Sequence, residues 1–495
     1  MVDRTSITRK PGECAKTHYD LVVIGGGIHG ATLLLEAALR GLKVLLLEAG
    51  DFGGGVSAQS SRILHGGLRY LQQVDLKRFK ESVAERRWFC EHFAEHVRPL
   101  DCMMPLYNRG MKRSSMMGVA LKLNDHLSRK KNEGVAERCH LGRSRILSNE
   151  EVIERYAGVR QEGLKRGALW QDAIMTNPAR VQMEMLRWAI SLGGKAINYC
   201  KVDGFKSVDG RIEKVMATDQ IHSERHAFDC DEVADCTLGG AAKMCELAGI
   251  DGFEVPYCSA FNLLIDREPM FEDAVAVQPK KAGGRMYFLV PMGEQILAGT
   301  THLPMVAGEA LQETVERSVG EMLADLNDAM PNITGGAFEH GDVARVMHGK
   351  LLAAKRGGAE TSERPLIVKH ENSEAAQNFT TCVGIKYTTA RATAEKALAV
   401  IYGEYVDVSE DLIYEKPVAA FDVDLKDPDA FLAMDDEAAK KFLQQMRDEE
   451  AVVRVDDLVC RRTDWGMSKM ADKVRERWEK LMGKDDVKVN AGGDV

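Results

Sequence analysis

The chain has 495 residues, 45% hydrophobic and 28% charged, with a formal net charge of −9. This is ordinary globular composition for two to three domains, and the acidic balance excludes a general nucleic-acid binder, which needs a basic face. Eleven cysteines with no C-x-x-C pair exclude a disulfide framework and a cysteine zinc site, so a reducing, cytoplasmic compartment is expected.

The stretch ahead of Tyr19 is polar and carries no apolar signal core, and no run of about 18 apolar residues occurs anywhere. Tyr19–Ile24 reads as a buried strand, Ala31–Arg40 as a helix and Lys43–Glu48 as a second strand. Between the first strand and the helix stands GGGIHG, residues 25–30. In Gly25-x-Gly27-x-x-Gly30 the first glycine makes the tight turn. The second lets a pyrophosphate approach, and the third lets helix pack on strand. The helix N-terminus offers free N–H groups to phosphate. Glu48, eighteen residues past Gly30, is placed to accept from a ribose hydroxyl. NAD and FAD both fit this pattern, and a ligand-free glycine turn is the plain alternative.

Residues 75–96 read as a charged amphipathic helix, and 97–150 as mixed, with Ser128–Lys131 a solvated basic face. Asn177–Gly194 has an Asn cap, Pro at the first helical position and terminal glycines, and predicts a helix. Ile197–Asp219 alternates around Asp203–Gly204 and Asp209–Gly210 and predicts a small meander with turns at both pairs. Glu232–Gly240 reads as a strand ending in a glycine turn. Arg285–His302 reads as two strands about a Met-Gly turn, and 308–330 as a helix. Asn378–Gly403 reads as strand, glycine turn and long helix. Beyond Gly403 the chain turns acidic and then helical, and ends in a flexible tail from Gly483.

Two further stretches carry chemistry. Ser60–Leu71 joins hydroxyls, His65, Gly66–Gly67 and Arg69. The imidazole titrates near neutrality and suits proton transfer. The guanidinium forks onto phosphate or carboxylate, and the glycines admit a flat ring. An ordinary capped turn is the plain reading. Gly384–Thr389 precedes a helix that Thr388 or Thr389 would cap. Lys386 and the helix dipole would there stabilise negative charge on a bound group. The alternative is a capped helix with a snorkelling lysine.

Taken with GALWQDA (Gly167–Ala173), AGTTH (Ala298–His302), GIKYTTARATAE (Gly384–Glu395) and VDDLVCRRTDWGM (Val455–Met467), these blocks resemble the FAD-dependent glycerol-3-phosphate dehydrogenase family, within the D-amino-acid-oxidase-like flavoproteins. The resemblance runs over nearly the whole chain. It implies an α/β fold with a Rossmann-like FAD domain of the glutathione-reductase type, a sheet-based substrate domain and a small C-terminal helical domain. The expected FAD segments are about 18–75, 160–250 and 340–403, and the substrate segments about 76–159 and 251–339. The helical domain with its tail is 404–495.

The resemblance further implies FAD contacts at Gly25, Gly27, Ile28, His29, Gly30, Glu48, Ala49, Ser60, Ser61, Gly66, Val202, Gly384, Lys386, Tyr387, Thr388 and Thr389. His65 is the expected base and Lys386 the charge-stabilising group. Arg69, Tyr70, His302 and Lys350 are the expected substrate contacts. The implied reaction is oxidation of a small anionic polyol phosphate, sn-glycerol 3-phosphate to dihydroxyacetone phosphate, by hydride transfer to flavin N5. A quinone or oxygen would accept the electrons; no metal is expected. Peripheral contact with the inner face of the cytoplasmic membrane, with Asp472–Met482 as a candidate helix, and a homodimer complete the expectations. An amine or 2-hydroxy-acid oxidase, and a non-catalytic FAD-binding protein, are the alternatives.

The chain departs from the family on the substrate side. HGKLL stands opposite the family's GVRPL block, so its arginine is missing and Lys350 or Arg345 is the candidate substitute. The acid usual after GTT is His302. The NAAGPW-like segment is Asp235–Lys243, DCTLGGAAK.

Overall fold

Unbroken Val/Leu/Ile runs make strands buried on both faces. Two of them, His18–Ile24 and Val44–Leu47, pair in parallel at the heart of one sheet. The computed structural model describes residues 6–107, 114–281, 283–305, 311–403, 416–417 and 425–483, and the chain divides into two compact units.

The first unit holds residues 1–58, 177–255 and 363–495. Its sheet runs in space as 366–369, 379–383, 225–235, 18–24, 44–47 and 195–197, with the hairpin 200–208/211–219 joined to 225–235. The Ile28–Ala38 helix is the crossover between 18–24 and 44–47, and packs against the Pro178–Ser191 and Ala390–Tyr402 helices. Asn177 caps the former by accepting from Arg180 N at 2.9 Å, with Pro178 in the first turn. The core includes Val22, Ile24, Leu45, Leu47, Phe228, Val233 and Phe379.

The C-terminal residues belong to this unit and form a small helical domain. Helices Pro428–Ala433, Asp436–Glu450 and Ala471–Met482 enclose Phe431, Phe442, Trp465 and Trp478. Buried ion pairs tie it down. Glu450 receives two bonds of 2.9 Å from Arg180 and pairs with Arg187. Arg462 forks onto Asp51 at 2.6 and 2.7 Å.

The second unit holds residues 59–176 and 256–362. Its sheet runs 343–352, 257–265, 295–304, 287–292, 274–277, 97–106, 166–175 and 63–64, with 145–147 beside 166–175. All its ladders are antiparallel except 97–106 with 274–277. The Leu311–Ala329 helix covers one face, where Val319, Met322, Leu323 and Leu326 meet Phe261, Leu263, Leu289 and Ala298.

The unit boundaries differ from the expected segments. Residues 59–75, 160–176 and 340–362 fall in the second unit, because Ile63–Leu64, Arg166–Met175 and Val343–Leu352 are strands of its sheet. Asp203–Gly204 is a shift in register inside the Cys200–Val208 strand, and only Asp209–Gly210 turns the chain, with both residues at positive φ. The stretch 97–150 resolves into a ten-residue strand, Val97–Leu106, and a helix, Ser114–Leu127. Among the described residues no helix is long and apolar enough to cross a membrane. The helix proposed for membrane contact, Asp472–Met482, turns Val474 and Trp478 into the C-terminal core, so its apolar side is already covered. The expected tail, from residue 484 on, lies outside the described residues.

Candidate active site

In the first unit the glycine turn is shaped by close approaches. Gly25 has φ +100°, and a Cβ there would stand 3.0 Å from the Cys236 backbone. A Cβ on Gly30 would run into the Gly25 carbonyl oxygen. The helix therefore starts hard against the strand, at Ile28 rather than at the expected Ala31. Ile28 N donates to Ser57 Oγ at 2.9 Å. The amides of Gly27, His29 and Gly30 find no protein acceptor among the described residues. Glu48 follows its strand and accepts from Gly26 N at 2.5 Å and Gly50 N at 2.7 Å. Ala49 beside it is exposed.

The Gly384 turn belongs to the same unit. The His29 ring lies against it so closely that a Cβ on Gly384 would overlap the imidazole. Burial pushes His29 down to about 4, so the ring is neutral at physiological pH. After Lys386, residues Tyr387–Thr389 form one 3-10 turn, and the α-helix starts at Ala390. Tyr387 OH donates to Pro178 O at 2.5 Å. Thr389 occupies the N-cap position, but its hydroxyl caps nothing and is buried without a partner, as is His29 Nδ1. The expected threonine cap is therefore absent; the 3-10 turn supplies the helix start instead. Val202 lies in the 200–208/211–219 ladder opposite Ala217, with its side chain in the apolar core.

The remaining predicted positions lie in the second unit. Ser60 Oγ accepts from Arg62 N at 2.9 Å and Ser61 is half-buried next to it. Gly66 is crowded on the side where a side chain would stand. A Cβ there would overlap the Arg86 guanidinium, which fills the space. Arg86 is there because of Asp172. Asp172 Oδ1 accepts from Arg86 at 2.5 Å and from Gly66 N at 2.7 Å. Its Oδ2 lies 3.1 Å from both His65 Nδ1 and Trp170 Nε1. Burial would raise this carboxyl, but the bonds from His65 and Gly66 and the charge of Arg86 outweigh it and hold Asp172 well below the usual carboxylate range. An ionised carboxylate only accepts, so His65 Nδ1 carries a proton, and Nε2 is the ring nitrogen that Asp172 does not engage. The His65 side chain is 45% exposed, so that nitrogen is reachable. Such an arrangement can serve as a base with an orienting acid.

Opposed residues in an antiparallel ladder share a face, and faces alternate along a strand. Ala260 opposes His302, and Asn262 opposes Gly299, which opposes Phe288. His302, Asn262 and Phe288 thus share one face of the second sheet. The His65 ring packs on Phe288, centroids 5.0 Å apart, and so belongs to that face as well. Arg285 donates to the carbonyls of Thr300 and His302 at 3.3 and 3.2 Å. Burial, then the charges of Arg285 and Arg69, push His302 down to about 4, which makes it a neutral hydrogen-bonding group. Tyr70 lies under the Arg78 guanidinium, 4.7 Å from its ring centre.

Lys350 is not in this group. It opposes Ser259, and His348 opposes Phe261, so both project from the opposite face, the one the 311–329 helix covers. The lysine therefore does not replace the family's missing arginine beside His302. Arg345, opposite Leu264, does share the His302 face.

The sequence reading named neither Asp172, Arg86, Arg285 nor Ser57. Asp172 lies inside the GALWQDA stretch, and an acid near aromatic and apolar residues in a strand is the available signal. Arg86 and Ser57 carried none, because their roles come from pairings across 86 and 29 residues of chain.

Comparison with known proteins agrees with this layout. A glycerol-3-phosphate dehydrogenase of Synechocystis sp. is 28% identical over 408 residues, covering 79% of this chain and 71% of that protein. An aerobic glycerol-3-phosphate dehydrogenase of Bacillus subtilis is 29% identical over 326 residues, 64% of this chain but only 56% of its own length. The crystal structure of a Bacillus halodurans glycerol-3-phosphate dehydrogenase complexed with FAD superposes with a TM-score of 0.66 at 19% identity, covering 96% of this chain and 93% of that one. The fold is accordingly an FAD-binding Rossmann-like domain, a sheet-based substrate domain and a small C-terminal helical domain. FAD is the cofactor this fold carries, and the residues present fit it. Three acceptor-free amides at a helix start suit a diphosphate, Glu48 suits a ribose, and His29 Nδ1 and Thr389 Oγ1 are buried polar atoms awaiting partners. The family described as FAD dependent oxidoreductase matches residues 20–397, more than three-quarters of the chain, and the chain belongs to that family.

Proposed function

We propose that the chain oxidises the secondary alcohol of a small phosphorylated polyol, sn-glycerol 3-phosphate to dihydroxyacetone phosphate. The observation that carries this reading is the shared face of the second sheet. An oriented imidazole, His65, and neutral His302 lie on it together, with Arg285 bonded to the backbone of the His302 strand and the charge of Arg69 felt at His302. A base and an anion clamp are the two things a phosphorylated alcohol requires of a protein. The names of the matching relatives support the same substrate.

When bound, FAD supplies the two-electron acceptor for the hydride of the substrate C–H bond. His65 Nε2 takes the hydroxyl proton, and Asp172 stabilises the imidazolium that results. Arg86 holds Asp172 ionised throughout. Arg69 and Arg285 hold the substrate's anionic group, with the His302 imidazole as an uncharged donor. Lys386, ahead of the Ala390–Tyr402 helix, is the cation of the flavin half and stabilises negative charge there. A quinone or oxygen takes the electrons onward.

One observation favours a second substrate class. With Lys350 on the far face, Arg345 is the one of the two candidate substitutes that shares the His302 face, from a different place in the strand. Two arginines suffice for a carboxylate, so 2-hydroxy acids belong in the same test.

The test is anaerobic bleaching of the protein's yellow flavin absorbance. Rapid loss on adding sn-glycerol 3-phosphate is the expected result. Bleaching by 2-hydroxy acids or amino acids alone would replace the substrate while keeping the cofactor. Flavin that no small substrate bleaches would sink the enzymatic reading.

A further inference from the structure

A surface helix normally hides its apolar residues. Among the described residues eight large hydrophobic side chains are exposed, and six of them fall between residues 74 and 127: Val74, Leu76, Met116, Val119, Leu123 and Leu127. Four lie on the Ser114–Leu127 helix at spacings of three, four and four, which makes one outward stripe. The helix already buries Met117, Leu121 and Asn124 on its inner side, so this stripe is additional to its packing face. Val119 is 68% exposed. The short Leu68–Gln72 helix packs against this helix and against Leu76–His92. The turn between those two carries Val74, 81% exposed and held at φ +58°, a conformation a β-branched residue rarely adopts.

The charges around the stripe run against those of the chain. The protein carries −9 overall, yet Lys122, Arg129 and Lys130 are exposed along this helix and just past its end, as are Lys77 and Lys80 after the turn. The helix has a single acid, Asp125, and it is occupied by Ser144, whose N and Oγ both donate to it at 2.9 Å. The other acids at the rim are paired, Asp75 with Arg78 and Glu133 with Lys130, and an aliphatic stripe with a mainly basic rim is the pattern of a helix lying in a lipid interface. A second copy fits worse. A twofold contact would set this basic rim against itself.

We propose that the outward face of the Ser114–Leu127 helix, with Val74 and Leu76, docks on an anionic lipid surface. This goes beyond the substrate reading and does not depend on it, since docking is measured on the resting protein. It moves the membrane contact from the C-terminal helix, whose apolar side is buried, to the second unit.

The experiment is co-sedimentation of the full FAD-loaded chain with vesicles of phosphatidylcholine alone and with about 30% phosphatidylglycerol, at low and high salt. The expected result is binding to the anionic vesicles that is at least about tenfold weaker on neutral vesicles and is weakened by salt. V119D/L123D, and separately K122E/R129E/K130E, should each lower binding about tenfold or more, with flavin absorbance and melting temperature kept. These positions are exposed, so the fold is not at stake. Equal binding by wild type and both variants would overturn the proposal, and so would no binding to either vesicle. A dimer in solution that V119D/L123D dissociates would overturn it too, in favour of a second copy on this face.

Discussion

His65 Nδ1 lies 3.1 Å from Asp172 Oδ2, and that contact decides which ring nitrogen is left to act. Replacing Asp172 by Asn keeps the shape but removes the obligatory acceptor, so the ring is free to take the wrong tautomer. D172N should lower the rate of flavin reduction by about 10²–10⁴-fold while FAD content stays as in wild type. H65N should do the same, and the double variant should be little worse than H65N alone, because the two act as one unit. Stopped-flow reduction under anaerobic conditions measures all three. A D172N rate within twofold of wild type would remove Asp172 from the mechanism.

The second prediction concerns the flavin half. Gly384 leaves no space for a methyl group, because the His29 ring fills it. G384A should therefore shift the Gly384 turn or the start of the Ile28–Ala38 helix, and the purified protein should lose most of its FAD. If the collision is the cause, shrinking the partner relieves it. H29A/G384A should hold more FAD than G384A, read from the flavin-to-protein absorbance ratio. No recovery in the double variant would mean that the glycine is needed for another reason.

How far the sequence reveals this site depends on chain distance. The glycine turn, Glu48 and the helix behind them lie within about thirty residues, so spacing alone identifies them. His65 was readable from its local block. What holds His65 was not, because Asp172 comes from a strand 107 residues away and Arg86 from a helix. Lys350 shows the converse failure. An alignment matches it to an arginine, but only the ladder register tells which face a strand residue takes, and one residue of register reverses the answer. The C-terminal anchorage was likewise illegible, since a Glu and an Arg in separate helices announce nothing until they are buried together.

The third prediction follows from the face Lys350 vacates. If Arg285 and His302 serve the substrate's anion, R285Q should raise KM for an anionic substrate by about 10–100-fold, the range for a charge-assisted hydrogen bond, and change kcat much less. H302D restores the acid the family has there and puts a negative charge where the charges of Arg285 and Arg69 are felt. By repelling an anionic substrate it should also raise KM, more for a phosphorylated substrate than for its uncharged parent alcohol. K350Q should leave KM within about twofold, since its side chain faces away. Steady-state kinetics with a dye acceptor separate these cases. A KM change in K350Q as large as in R285Q would refute the assignment of faces.

The last prediction concerns the buried ion pairs that fasten the C-terminal helices. Burial alone would raise Glu450 and Asp51. Arg180 and Arg187 outweigh it at Glu450, and Arg462 with Arg461 at Asp51, and both carboxyls are held down to about 2. A carboxyl whose folded value lies below its unfolded value stabilises the fold above the unfolded value, and that contribution goes as pH falls through the folded one. The anchorage should therefore be complete above about pH 4.5 and be lost progressively toward pH 2. E450Q removes the carboxylate Arg180 and Arg187 share and leaves Arg180 with Glu184 alone, which costs up to about 3–5 kcal/mol. Urea unfolding followed by tryptophan fluorescence, to which Trp465 and Trp478 of the C-terminal core contribute, measures both effects. Wild type should lose stability between pH 5 and pH 3. E450Q should start lower at pH 7 and lose less over the same interval, because one of the titrating carboxyls is gone. An E450Q variant as stable as wild type at pH 7 would mean that the apolar packing of Phe431, Phe442 and the two tryptophans holds the domain without the ion pairs.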